Sequence, residues 1–197
     1  MKILIAIPSF DFVCADFAMS LGALLSRRAY DRKLRREVDL ALANCKGSLI
    51  HHARNVLMQE ALDVSATHIF FLDSDMVVPP DTLDRLIGHH VPIVGADYVR
   101  RVAPHNLNGT PAPGAVVKAG LAPMLTLPFG CILISLKVLD SLPRPWFRYD
   151  EGPDDASTQS EDTYFCNQAR RAGHTIWNDV SLTKEVGHCG MKVFRHG

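Results

Sequence analysis

The apolar positions of the chain fall into short runs and longer stripes whose order predicts an α/β fold. Lys2-Ile3-Leu4-Ile5-Ala6-Ile7 is a β-rich run halted by Pro8-Ser9-Phe10-Asp11, as expected of a first parallel strand delivering a loop. Phe17, Leu21, Leu24 and Leu25 recur at helical spacing, and the charged stretch from Arg27 to Arg36 reads as a solvated helix end and connection. Val38 to Ala43 follows as a second strand, interrupted only by Asp39. Ser48 stands where an N-cap belongs, and Ile50, Ala53, Leu57, Ala61 and Val64 trace one apolar stripe at intervals of three and four. Ile69 to Leu72 is a continuous apolar run, the pattern of a central strand covered on both faces, and Pro79-Pro80 stops its continuation. Asp81 opens another helix with Leu83, Leu86 and Ile87 on its buried face and Gly88 at its end. Val91 to Ala96 is then a fourth strand, completing a β-α-β-α-β-α-β half built on parallel pairs.

From Asp97 onward the alternation breaks. Asn106 to Gly114 and Pro143 to Gln159 are turn-rich and read as loops, the second carrying Trp146, Phe147 and Tyr149 as exposed aromatics beside acids, a surface suited to sugar rings. Ala122 to Leu127 and Cys131 to Ile134 read as strands around Pro128-Phe129-Gly130, where a glycine lets a ligand approach the backbone. Leu136 to Leu142 is a predicted helix. Ser160-Glu161-Asp162-Thr163 begins a last helix with Phe165, Ala169 and Ala172 buried and Gly173 as its stop. His174 to Asn178 reads as an edge strand, and Val186 to Gly190 sets one imidazole, His188, between glycines. A mostly parallel, mixed sheet of Rossmann-like type flanked by helices, in one domain over 1–197, is the expected architecture.

Composition narrows the partners. With 197 residues, 47% hydrophobic and 21% charged, the chain can bury one substantial core. Lys plus Arg and Asp plus Glu are both 21, a formal net charge of +0, so no basic excess advertises nucleic acid or anionic lipid. The five cysteines are scattered without a C-x-x-C pair, which fits reduced thiols in a cytoplasmic protein. Pro8 interrupts the first apolar run too early for a signal peptide, and no later run approaches a membrane span.

The candidate chemistry gathers at the end of the central strand. Ligands of open α/β sheets sit outside the carboxyl ends of strands, so Asp73-Ser74-Asp75 is placed for a divalent cation carrying phosphates, although acids after strands are also common turn residues. Ser9 and Asp11 reach the same edge. Arg54 and Asn55 lie beside the apolar stripe of their helix, Arg54 either on the surface or aimed at phosphate. Glu161 and Asp162 are catalytic candidates, yet acids in a first turn are equally favoured by the helix dipole.

Taken together, Ile7-Pro8-Ser9, Ala53-Arg54-Asn55, Asp73-Ser74-Asp75, Phe129-Gly130, Ser160-Glu161-Asp162 and Gly187-His188 resemble the GT-A nucleotide-sugar glycosyltransferases, especially small bacterial and phage-type members, over nearly the whole chain. The resemblance implies a nucleotide-binding half over 1–99 and an acceptor and metal half over 100–197. It implies Asp73, Asp75 and His188 as ligands of Mn2+ or Mg2+. Pro8, Ser9, Asp11, Arg54, Asn55, Asp73, Ser74 and Gly130 would hold a nucleotide-sugar donor, with UDP the expected nucleotide. Asp162, with Glu161 beside it, would be the base of an inverting transfer to a carbohydrate or other hydroxyl acceptor. Two alternatives share part of the signal. Asp73-Ser74-Asp75-Met76-Val77 fits the first motif of haloacid-dehalogenase-like phosphatases, in which the leading acid is a nucleophile, but no later Gly-Asp-x-x-x-Asp segment follows. A non-catalytic nucleotide-sugar-binding protein is the other.

Overall fold

A computed structural model describes residues 1–30, 37–150, 159–190 and 193–194. Part of the charged Arg27 to Arg36 connection and most of the acid-rich end of the Pro143 to Gln159 loop lie outside the described residues.

The first half follows the hydrophobic pattern closely. β1 (Lys2–Ser9) runs parallel to β2 (Asp39–Lys46) on one side and to β3 (His68–Leu72) on the other. Successive side chains of β1 point to opposite faces. Ile3, Ile5 and Ile7 pack with Phe17 and Leu24 of helix α1 (Ala15–Tyr30), whereas Leu4 and Ala6 pack with Leu57, Met58 and Ala61 of helix α2 (Ile50–Asp63). β3 divides likewise, Phe70 and Leu72 to one core, Ile69 and Phe71 to the other. Burial on both faces is why the run between His68 and Asp73 carries no polar residue. Helix α2 begins at Ile50 rather than after a Ser48 cap: Leu49 is the N-cap, with no side-chain cap bond, and its carbonyl accepts from the Ala53 amide at 3.0 Å.

Beyond β4 (Met76–Val77) and helix α3 (Thr82–Gly88), the connections depart from the expected parallel half. β5 (Ile93–Gly95) does not pair with β3, because β8 (Cys131–Ser135) lies between them, antiparallel to both. With β6 (Thr110–Pro111), β7 (Leu121–Thr126) and β9 (Ile176–Asp179), the eight-stranded order is β2-β1-β3-β8-β5-β9-β7-β6. β9 is therefore interior, parallel to β5 and antiparallel to β7, and not an edge strand. A 3-10 helix covers Leu136–Ser141 and helix α4 covers Glu161–Arg171, in which Ala172 at the C-cap is exposed. Helix α5 (Val180–Thr183) is capped by Asp179, whose carboxylate accepts from the Ser181 and Leu182 amides. A three-stranded sheet of β4, β10 (Gly187–Cys189) and β11 (Val193–Phe194) closes one end. Among the described residues, no helix is long and apolar enough to cross a membrane.

The insertion of β8 demands a glycine. A Cβ on Gly95 would stand 2.5 Å from the Cys131 carbonyl oxygen and 3.0 Å from the Ile132 Cα, both backbone atoms of the neighbouring strand. Gly95→Ala is thus expected to cost about 1–3 kcal/mol through overpacking, read as a lower urea midpoint at unchanged slope.

Trp146 and Phe147 differ from expectation. Both are buried, at 5% and 0% exposure, and Phe147 stacks on Phe165 at 5.1 Å and meets Phe71 and Phe129 edge-on. They anchor the start of their loop instead of offering a platform for sugar; Tyr149 alone of the three aromatics is exposed.

Candidate active site

The carboxyl end of β3 opens into a cleft of about 580 Å³ whose walls come from both halves of the chain. Asp73 leaves the strand with its amide donating to the Gly130 carbonyl at 3.0 Å, and the Met76 amide returns to the Asp73 carbonyl at 3.0 Å, closing a turn. That turn leads into β4, which pairs with β10 so that Met76 lies opposite His188. Asp75 and His188 meet through this small sheet, with His188 Nε2 3.4 Å from Asp75 Oδ2. His188 Nδ1 lies 3.0 Å from the Val99 carbonyl. A carbonyl can only accept, so Nδ1 donates to it and the ring turns Nε2 toward the acid. Arg101 also pairs with Asp75, at 3.0 Å. Burial works to raise the Asp75 carboxyl, but His188 and Arg101 together hold it below its ordinary value.

Arg54 stands behind Asp73. Its guanidinium is 2% exposed and lies over the faces of Phe71 and Phe129, at 5.3 and 5.7 Å from the ring centroids. Nη2 donates to Asp73 Oδ2 at 3.1 Å, Nη1 lies 3.1 Å from Asp73 Oδ1, and Nε donates to Glu161 Oε1 at 3.2 Å. Burial opposes the positive charge, yet Asp73 and Glu161 outweigh it and raise the guanidinium's pKa further. The same burial pushes the Asp73 and Glu161 carboxyls up, against the pull of Arg54. Arg54 is therefore a bridge between the strand-end acid and the first residue of α4. Glu161 belongs to this buried network.

Asp162, one residue on, faces the cleft. Its Oδ1 accepts from the Thr163 amide at 2.7 Å and from the Ser160 hydroxyl; Oδ2 takes neither bond.

Several expected donor contacts lie elsewhere. Asn55 spends its amide on backbone: Nδ2 donates to the His51 and Phe147 carbonyls, and Oδ1 accepts from the Trp146 and Phe147 amides, so it fastens the loop and does not line the cleft. Gly130 admits Tyr98, whose hydroxyl would stand 2.6 Å from a Cβ there and accepts from the Gly130 amide at 3.2 Å. Pro8, Ser9 and Asp11 emerge at the same sheet edge but outside the cleft, Ser9 held by Asn44 and Asp11 by Lys46. Ser74 accepts from the Cys14 amide through its carbonyl.

The cleft also contains residues that the sequence pattern missed: Tyr98, Arg100 and Arg101, carried past the end of β5. Buried Asp97 shapes this segment by accepting from the Tyr98, Asn108 and Gly109 amides. The rule that placed ligands beyond Leu72 applies equally beyond Gly95 and would have found two guanidinium groups there.

No protein-family model matches the chain, and no curated protein matches it in sequence. Solved structures do. A197 from STIV matches at a TM-score of 0.64 and 15% identity, over 100% of this chain and 95% of that one. The chain has a GT-A-like fold. S. aureus TarS matches at a TM-score of 0.52 and 15% identity, over 91% of this chain, which spans only 35% of TarS. The GT-A-like architecture, a single α/β domain with a mixed, mostly parallel sheet, is that expected from the sequence. Asp73, the nucleophile that the phosphatase alternative would require, has both of its oxygens paired with Arg54.

Proposed function

We propose that the protein transfers a sugar from a nucleoside-diphosphate donor, UDP-linked, to an acceptor hydroxyl with inversion at the anomeric carbon. The observation that carries this reading is the meeting of Asp75, His188 and Asp162 in one cleft at the carboxyl edge of β3. A cleft of about 580 Å³ is of the size that small-molecule ligands occupy.

The residues present fit a divalent cation, Mn2+ or Mg2+. The Asp75 carboxyl is held below its ordinary value, His188 is anchored through Nδ1 on the Val99 carbonyl with Nε2 turned toward Asp75, and the buried Asp73 Oδ1 makes no hydrogen bond despite its ion pair with Arg54. Asp75 and His188 would hold the ion, with Asp73 contributing directly or through water. Such an ion neutralises charge developing on the leaving diphosphate. Arg100 and Arg101 stand at the mouth to bind phosphate oxygens. Arg101 would exchange its Asp75 partner for the donor. Asp162 Oδ2 accepts the proton of the acceptor hydroxyl as its oxygen bonds to the anomeric carbon and the sugar–phosphate bond breaks on the opposite face. Arg54 positions both acids by pairing with Asp73 and with Glu161 beside Asp162.

Calorimetry with UDP tests the metal reading. Binding is expected to be tighter with Mn2+ than with a chelator, and Asp75→Asn is expected to abolish that difference. Equal affinity in the two conditions for the parent protein would remove the cation from the proposal.

A further inference from the structure

On the far side of the Asp73-Ser74-Asp75 turn, a second set of metal-ligating groups converges. Cys14 immediately precedes α1, Asp16 lies in the first turn of that helix, and Cys189 ends β10. Their two sulfurs and a carboxylate oxygen all lie within 4.8 Å of one another, the one such trio of His, Cys, Asp or Glu among the described residues. The Cys14 backbone is fixed on both sides, its amide donating to the Ser74 carbonyl and its carbonyl accepting from the Ala18 amide at 3.0 Å. We propose that Cys14, Asp16 and Cys189 form a second cation site, for a thiophilic divalent metal of the zinc class, that clamps the turn carrying Asp73 and Asp75.

The chemistry of the donor set selects the ion. Two thiolates and one carboxylate favour zinc over the hard cations that oxygen and imidazole ligands accept, and three protein ligands leave a fourth tetrahedral position for water. Binding releases the two thiol protons to solvent. Cys189 is buried, Cys14 half-buried and Asp16 exposed, so an ion has a path in from solvent. The other thiols do not join them: Cys131 and Cys166 lie in different core clusters, and Cys45 is on β2.

Backbone bonds couple this site to the turn. The Cys14 amide donates to the Ser74 carbonyl at 3.2 Å, and the Cys189 amide donates to the Asp75 carbonyl at 2.7 Å. An ion joining the two cysteines therefore ties the loop after β1 to β10 across the residues that present Asp75 and His188 to the cleft. The site stands apart from the sugar-transfer reading, since its ligands are sulfur and its test needs no donor.

Co2+ is the probe, added to protein stripped with a chelator and kept reduced with a phosphine. The expected result is a thiolate-to-cobalt charge-transfer absorption in the near ultraviolet that saturates at one equivalent and is displaced by Zn2+. It is expected to vanish in Cys14→Ser, to weaken in Asp16→Asn, and to persist in Cys45→Ser and Asp75→Asn. Zn2+ is also expected to raise the melting temperature of the parent but not of Cys14→Ser. Asp16 is exposed and Cys14 only half-buried at the margin of the core, so these variants keep the fold even where Cys189→Ser does not. Cobalt binding without the sulfur absorption, or an absorption unchanged in Cys14→Ser, overturns the site.

Discussion

Arg54→Met is expected to destabilise the protein by about 3–5 kcal/mol, because it removes the cation while leaving two acids in the space around it. Asp73 and Glu161 approach Arg54 from separate elements, each at about 3 Å. Methionine fills much of the volume between Phe71 and Phe129 but neutralises neither carboxylate. For a chain of this size the loss corresponds to a melting temperature lower by about 6–20 °C. Glu161→Gln in the Arg54→Met background is expected to recover part of it, as a double-mutant cycle would show. The sign of the pH dependence follows from Glu161, whose pKa burial raises above its unfolded value. Between those two values the folded state binds more protons than the unfolded one, so stability rises as pH falls through the window. Without Arg54 the window widens upward, and the gap between variant and parent is expected to narrow on acidification from neutral pH. A variant as stable as the parent would show that the bridge contributes nothing net.

Asp162→Asn is expected to lower turnover about a hundredfold to ten-thousandfold, the usual cost of a lost general base. Donor binding is expected to survive, because Asp75, His188 and the two arginines are untouched. Asparagine keeps the shape of the side chain and an oxygen for the Thr163 amide, but it cannot take a proton. If Asp162 served only to order the first turn of α4 through Ser160 and Thr163, the change would cost about 1 kcal/mol with turnover nearly intact. Melting temperature and turnover measured together separate the two roles. Product of retained anomeric configuration would exclude the inverting step whatever the rates, and donor binding without turnover on any acceptor would favour a non-catalytic binding protein.

What the sequence determined by itself is whatever depends on periodicity within one element. β1 and β3, the stripe of α2 and the start of α4 at Glu161 were legible because each must bury a face, and burial imposes a repeat of two or 3.6 residues. The position of Asp73 and Asp75 was legible for the same reason: a strand buried on both faces admits no acid until it ends. Tertiary structure alone decided which strand enters between β3 and β5, since β8 comes from beyond two loops and its apolar run suits several neighbours. It also decided what Arg54 does, because its acids lie 19 and 107 residues along the chain. Trp146 and Phe147 show the limit from the other side: beside acids and prolines they read as exposed, yet Asn55, 91 and 92 residues away, binds their backbone amides and they close the core. Pairings over such distances follow from how the sheet is ordered, and no local repeat encodes that order.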